Sequence, residues 1–226
     1  MTSLFITATG TGIGKTLLCA GLVHRARRAG LPALALKPVI SGYDPEDGES
    51  DTALLLKAQG LAPSDAGRLS PFAFKAPLSP DMAARREGRS IDPDALLRFC
   101  REALESGRPT LIEGVGGAFV PLSSDFLVAD WIAALDLPFL LLAGGYLGTI
   151  SHTHATLEAL AARGLHPSAL ILSGRPDDPV PLEETASSLA IAKDMPVLLL
   201  PALPGPDAWR HLPDLAGLPA PWGGKN

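Results

Sequence analysis

Two kinds of segment alternate along the chain. Six short runs are apolar at almost every position: "SLFITA" at 3–8, "PALALKP" at 32–38, "TLIEGV" at 110–115, "PFLLLAGG" at 138–145, "SALILSG" at 168–174 and "MPVLLLPAL" at 195–203. Continuous rather than alternating apolar character predicts strands covered on both faces, as in a parallel sheet. Between them lie stretches with helical spacing. Leu17, Leu18, Gly21, Leu22 and Ala26 make one helix face that ends at Gly30. The stretch 92–107 opens on Asp92-Pro93 and stops at Gly107, a helix start and stop in the expected order. The stretches 149–165 and 181–194 read the same way.

This order predicts an α/β fold: a single domain over 1–226, doubly wound, with a mostly parallel sheet and helices on both faces. Residues 40–50, acidic and glycine-bearing, and residues 60–90, rich in proline, read as irregular. The proline-rich tail 201–226 reads as a surface wrap or partly ordered end. There is no internal repeat and no low-complexity segment.

Composition narrows the function classes. The 226 residues are 46% hydrophobic and 19% charged, with net charge −5. That excludes a disordered chain and argues against a nucleic-acid-binding surface, while leaving room for one local phosphate site. Cys19 and Cys100 lie far apart in helix-like stretches and read as small buried hydrophobes in a reducing compartment. No signal-like segment opens the chain and no apolar span is long enough for a bilayer, so the expectation is a soluble cytoplasmic protein.

In a parallel sheet of this kind, ligands gather at the carboxyl ends of the strands. The first run leads into "TATGTGIGKT", residues 7–16. A strict G-x-x-x-x-G-K-[ST] loop would need glycine at position 9, where Thr9 stands. A dinucleotide fingerprint fails too, because its third glycine would fall on Lys15. A lysine there suits phosphate: its ammonium neutralises β- and γ-oxygens while loop N–H groups cradle them, and Thr16 supplies a hydroxyl for Mg²⁺. A plain strand-to-helix turn does not explain Gly14-Lys15-Thr16 in that setting.

Other strand ends carry chemistry as well. Glu113 closes "TLIE" and either holds Mg²⁺ or pairs with a lysine; beside a phosphate loop the metal role is preferred, with Gly114, Gly116 and Gly117 admitting close backbone approach. Lys37 ends the second run. It either binds an anion or is a strand-end lysine reaching for solvent, and spacing alone does not separate the two. Ser41 is equally open. Nothing in the spacing singles out Asp51 within its acidic run. His152 and His154 do not share a helix face, so capping or surface roles suit them better than a metal pair. Trp131, Trp209 and Trp222 are too scattered for a stacking platform.

Taken in order, "TGTGIGKT", "KPVISG", "ESDTALLL", "LSPDMAARREG", "IEGVGGAFVPL", "ADW", "LGTISHTHATLEALAARGL" and "LILSG" resemble the dethiobiotin synthetase family, from the loop to about residue 200. The resemblance implies a single-domain, P-loop NTPase-like α/β fold and a homodimeric, Mg²⁺-dependent ligase using ATP as co-substrate. It would carboxylate 7,8-diaminononanoate with CO₂ or bicarbonate, through a carbamate and a carbamic–phosphoric anhydride. It implies nucleotide and metal contacts from Gly12, Ile13, Gly14, Lys15, Thr16, Leu17, Asp51, Glu113, Gly114, Val115, Gly116, Ser173 and Gly174. Thr16, Asp51 and Glu113 would hold Mg²⁺, with Lys15 and Lys37 as the catalytic lysines. Thr11, Lys37, Ser41, Gly148, Thr149, Ile150 and Ser151 would meet the substrate, the last four across the dimer interface.

The chain departs from the family pattern at several points. Ala8 replaces the loop's first glycine, Gly10 and Gly12 replace acidic residues, Asp81 a histidine and Ser151 an asparagine. Ser173-Gly174 replaces an asparagine-bearing segment that often reads adenine. Rival readings are a switch ATPase of the partitioning or metal-delivery type, which would carry lysine at Gly10, and the synthetase half of a cobyric-acid-type amidotransferase.

Overall fold

All six apolar runs become strands of one parallel sheet. The computed structural model describes residues 2–189, 195–205 and 207–223. Among them the strands are β1 (Leu4–Ala8), β2 (Leu34–Leu36), β3 (Val39–Ser41), β4 (Phe72–Phe74), β5 (Thr110–Glu113), β6 (Phe139–Gly144), β7 (Ala169–Ser173) and β8 (Val197–Leu200). The main sheet has the order β2-β5-β1-β6-β7-β8, every pair parallel. The helices are α1 (Lys15–Arg28), α2 (Asp51–Gln59), α3 (Ala66–Leu69), α4 (Pro80–Arg86), α5 (Pro93–Glu105), α6 (Val128–Leu135), α7 (Thr149–Ala161) and α8 (Leu182–Leu189). The last part of the helix expected over 181–194 lies outside the described residues.

The continuous apolar runs have the cause inferred from them. Successive side chains of β1 enter two different cores. Leu4, Ile6 and Ala8 pack with α1, α2 and the tail, whereas Phe5 packs with α5 and α6 and meets the Trp131 ring edge-on at 4.9 Å. Each such Leu, Ile or Phe contributes about 1.5–3 kcal/mol through burial, so helices cover both faces. Cys19 and Cys100 are free and buried in these layers.

Residues 60–90 are not irregular. They hold α3, β4 and α4, and β4 pairs in parallel with β3 in a separate two-stranded sheet, Val39 opposite Phe72 and Ser41 opposite Phe74. β4 is only three residues long and, unlike β2, is not embedded in a longer apolar run, and the surrounding prolines mask it. Gly42 extends the pairing by donating to the Ala76 carbonyl (3.0 Å). Its φ of 71° and the 3.2 Å approach of Pro77 to where its Cβ would stand leave room for glycine alone. Ser41 is thereby set against the 77–80 segment.

The tail crosses the outside of α1. Trp209, Leu215, Leu218 and Trp222 are buried there. A Cβ on Gly21 of α1 would come within 2.8 Å of the Leu212 side chain, so a bare backbone permits the contact. Arg25 donates to the carbonyls of Pro213 (3.2 Å) and Trp222 (2.5 Å), and the Trp222 indole donates to the Thr2 carbonyl (2.7 Å). Among the described residues no helix is long and apolar enough to cross a membrane.

Candidate active site

The loop after β1 needs glycine at only two places. Ala8 is an ordinary buried strand residue opposite Leu142, and Gly10 has neither a positive φ nor a close neighbour. Gly12 (φ 69°) and Gly14 (φ 93°) are left-handed, a conformation that costs other residues about 1–2 kcal/mol. The alanine at the loop's entry therefore leaves the turn intact. Gly14 caps α1 without any side-chain hydrogen bond, and the first turn of α1 carries no acidic residue. Its N–H groups are left for an incoming anion.

The turn after β5 closes over this loop. A Cβ on Gly117 would lie 3.1 Å from the Thr9 carbonyl oxygen and 3.2 Å from the Gly10 nitrogen. Backbone thus rests on backbone, and the Lys15 ammonium bridges the two segments through the carbonyls of Gly10 (3.1 Å) and Gly116 (2.6 Å). Burial, and then the neighbouring Lys37 charge, lower the Lys15 ammonium to about 8. Glu113 and Asp51 offset this only in part; with carbonyls as its direct partners, the cation would gain a contacting anion from a polyphosphate.

Beside it four side chains interlock. Lys37 is not at the solvent edge: only 3% exposed, its Nζ meets Glu113 Oε1 at 2.5 Å and Asp51 Oδ2 at 2.7 Å. Thr16 Oγ1 donates to the same Glu113 Oε1 (2.7 Å). Burial opposes the charge on Lys37, but Glu113 and Asp51 outweigh it and raise its pKa. Burial raises the Glu113 carboxyl, partly offset by Lys37. For Asp51 burial is outweighed by the Lys37 ammonium, and its pKa falls. Asp51 arrives here through α2: Ser50 accepts from the Ala53 N–H (3.3 Å) at the helix start. At the far end the Gln59 amide bonds both the N–H and the carbonyl of Ala35, at 2.9 and 3.0 Å.

The second carboxylate oxygen, Glu113 Oε2, is buried and has no hydrogen-bond partner among the described residues. With the Thr16 hydroxyl and the Asp51 carboxylate it makes a sparse oxygen donor set. Such a set suits Mg²⁺, which retains waters and phosphate oxygens. Among the described residues no group of three or more His, Cys, Asp or Glu side chains could hold a metal ion by itself, so waters and phosphate oxygens would have to complete the sphere.

These groups line one end of a cavity of about 660 Å³. Thr11, Gly12, Ile13, Gly14, Lys15, Thr16, Leu17, Lys37, Ser41, Asp51, Glu113, Val115 and Gly116 all face it. The other predicted residues lie elsewhere. Gly114 packs beneath Phe5, 3.0 Å from where a Cβ would be. Ser173 supports the loop from below, its Oγ 2.8 Å from the place of a Gly14 Cβ. Gly174 lines a second cavity of about 400 Å³ with Pro201 and Ala202. Gly148–Ser151 start α7 apart from the main cavity: Thr149 is buried, Ile150 is 40% exposed and neighbouring Leu147 is 91% exposed. Sequence reasoning gave no role to Ile40, Leu54, Leu78, Ser79, Pro80 or Val120, which complete the cavity wall. The "LSPDMAARREG" motif was the available signal.

A family model described as an AAA domain matches residues 2–207. An ATP-dependent dethiobiotin synthetase BioD of Acidiphilium cryptum is 48% identical over 84% of this chain and 87% of its own length. One of Methylobacterium nodulans is 43% identical over 84% and 88%. Among solved structures, the MinC:MinD cell division protein complex of Aquifex aeolicus matches with TM-score 0.56 at 15% identity, covering 93% of this chain and 86% of that one. A ParA family ATPase of Chlorobium tepidum matches with TM-score 0.53 at 14% identity, covering 91% and 85%. The last two share the fold, a P-loop NTPase sheet; the sequence relatives share far more, and the chain belongs to the ATP-dependent dethiobiotin synthetase family.

Proposed function

We propose that the chain closes the ureido ring of dethiobiotin from 7,8-diaminononanoate, CO₂ or bicarbonate, and ATP with Mg²⁺. The observation that carries this reading is the junction of two unlike ends in one cavity. Lys15, Lys37, Thr16, Asp51 and Glu113 form a charged end, and Ile40, Leu54, Leu78 and Val120 form an apolar wall continuous with it. Such a cavity suits a triphosphate at one end and an alkyl diamine at the other.

In this reading one amine takes up CO₂ as a carbamate and loses a proton. A carbamate oxygen attacks the γ-phosphorus and ADP leaves. The second amine attacks the carbamoyl carbon of the mixed anhydride, the ring closes, and phosphate departs with the activated oxygen. Lys15 neutralises the phosphoryl oxygens, and Lys37 holds the carbamate against the γ-phosphate. The work is alignment and charge neutralisation, with no protein nucleophile. Thr16, Asp51 and Glu113 would hold Mg²⁺, whose charge offsets that of the β- and γ-oxygens. Ser41, set by the β3–β4 pair, faces the diamine.

The start of α7 belongs to the same reading. Gly148 (φ 98°) caps the helix without a side-chain hydrogen bond, and exposed Leu147 and Ile150 flank it. A second copy of the chain covering these residues would turn that helix end into a pocket for the diamine's carboxylate. The switch-ATPase reading has only the shared fold in its favour.

The test is ADP release on adding 7,8-diaminononanoate and bicarbonate to enzyme, ATP and Mg²⁺. ADP and dethiobiotin should appear together, and Glu113→Gln should raise the Mg²⁺ needed for half-maximal rate. Hydrolysis indifferent to the diamine, with no dethiobiotin formed, would sink the reading.

A further inference from the structure

The phosphate loop is tied from outside by a residue far along the chain. Arg175 opens the loop after β7, and its Nη2 donates to the Gly12 carbonyl. Gly12 and Ile13 line the main cavity, whereas Arg175 lies outside it and borders the second cavity instead. Among the described residues no carboxylate forms an ion pair with its guanidinium.

The peptide between Gly12 and Ile13 is planar and trans, so its C=O and N–H point in opposite directions. A carbonyl held outward by Arg175 leaves the Ile13 N–H aimed toward the cavity. That matters because Gly12 is the residue most free to let the peptide turn over: it has φ 69° and no side chain. A flipped peptide would present a carbonyl oxygen to an arriving phosphate instead of a donor.

The arginine is itself anchored. Asp178 Oδ2 accepts from the Arg175 backbone N–H (2.7 Å), and the Asp178 N–H returns a bond to the Arg175 carbonyl (3.2 Å). The Asp178 carboxylate lies against the bare Cα of Gly145, where a Cβ would collide with it. The ends of β6 and β7 thus present the guanidinium at a set height over the loop.

We propose that Arg175 is a positioning residue for the nucleotide phosphates, acting by locking the Gly12–Ile13 peptide with its N–H inward. This rests on the reading that the cavity takes ATP. Arg175→Ala should raise the ATP dissociation constant and the KM for ATP about tenfold, the scale of one charge-assisted hydrogen bond. The KM for the diamine and kcat at saturating ATP should stay near wild type, as should the melting temperature without nucleotide. Arg175→Lys, which keeps a charged donor, should recover much of the loss. Asp178→Ala, which only loosens the anchor, should give a smaller shift in the same direction.

Unchanged ATP affinity in Arg175→Ala would overturn the lock. Equal losses for ATP and diamine with a lowered melting temperature, unrelieved by lysine, would also overturn it by showing a purely structural role. ATP binding that depends on Arg175 in a protein making no dethiobiotin would keep the lock and remove the reaction.

Discussion

Two helices begin at the same edge of the sheet in nearly the same way, yet their surroundings differ. Helix α1 follows Gly14 (φ 93°) and α7 follows Gly148 (φ 98°); neither has a side-chain cap or an acidic residue in its first turn. Side-chain caps do occur, Ser50 on α2 and Asp92 on α5, but α3, α4 and α6 also start without one. What the two share is a left-handed glycine with no acidic residue in the turn that follows, a helix start whose N–H groups can receive an anion. The α1 start is enclosed by its own Lys15 and by Lys37, Asp51 and Glu113 from three other segments. The α7 start stands beside a leucine that is 91% exposed. The first start is enclosed within a single chain. The second is open, and under the proposed function a second copy would cover it.

That contrast can be broken most sharply at Lys15. Lys15→Ala should lower kcat/KM by about 10³-fold or more, since the proposed reaction depends on charge neutralisation at the phosphoryl group. Steady-state ADP release measures it, and residual activity near wild type would detach α1 from phosphate chemistry. A smaller effect is expected at the open start. Leu147→Asp should shift the proposed dimer to monomer in sedimentation and raise the KM for diamine about tenfold, one lost contact's worth, with KM for ATP unchanged. A variant that stays dimeric with normal diamine kinetics would show that α7 needs no partner.

The smallest effects compare the two glycines directly. Gly148→Ala meets nothing closer than His152 at 3.6 Å, so urea unfolding should show only the left-handed penalty of about 1–2 kcal/mol. Gly14→Ala carries the same penalty and in addition presses on Ser173 Oγ at 2.8 Å. It should cost more, and Ser173→Ala in that background should restore part of the difference. Equal costs at the two sites would mean that the support beneath Gly14 gives way freely.

How much of this could be read from the sequence followed the range of the forces involved. Six strands were legible because burial on both faces leaves an apolar residue at every position. Lys15 and Thr16 were legible because only phosphate chemistry explains them after glycine at that spot. Asp51 was not legible from spacing and came only with the family resemblance, since its place depends on Gln59 docking α2 to β2 some distance away. The 77–80 wall was hidden because three-residue strands position it. For Glu113 the sequence posed a choice between metal and lysine. Geometry divides the carboxylate instead, Oε1 toward Lys37 and Thr16 and Oε2 without a partner. Arg175 gave no signal at all, because a surface arginine reveals its role only when a carbonyl 163 residues away comes to meet it.

The strap over α1 has an optical consequence. Of the three tryptophans in the chain, Trp209 and Trp222 sit in the strap and Trp131 lies against Phe5 on the opposite side of the sheet. Intrinsic emission is thereby sorted by layer. Replacing the strap pair with phenylalanine leaves a fluorophore that watches only the far core, and replacing Trp131 leaves two that watch only the backing of the phosphate-loop helix. The molecule carries separate gauges for its two faces, with no label attached.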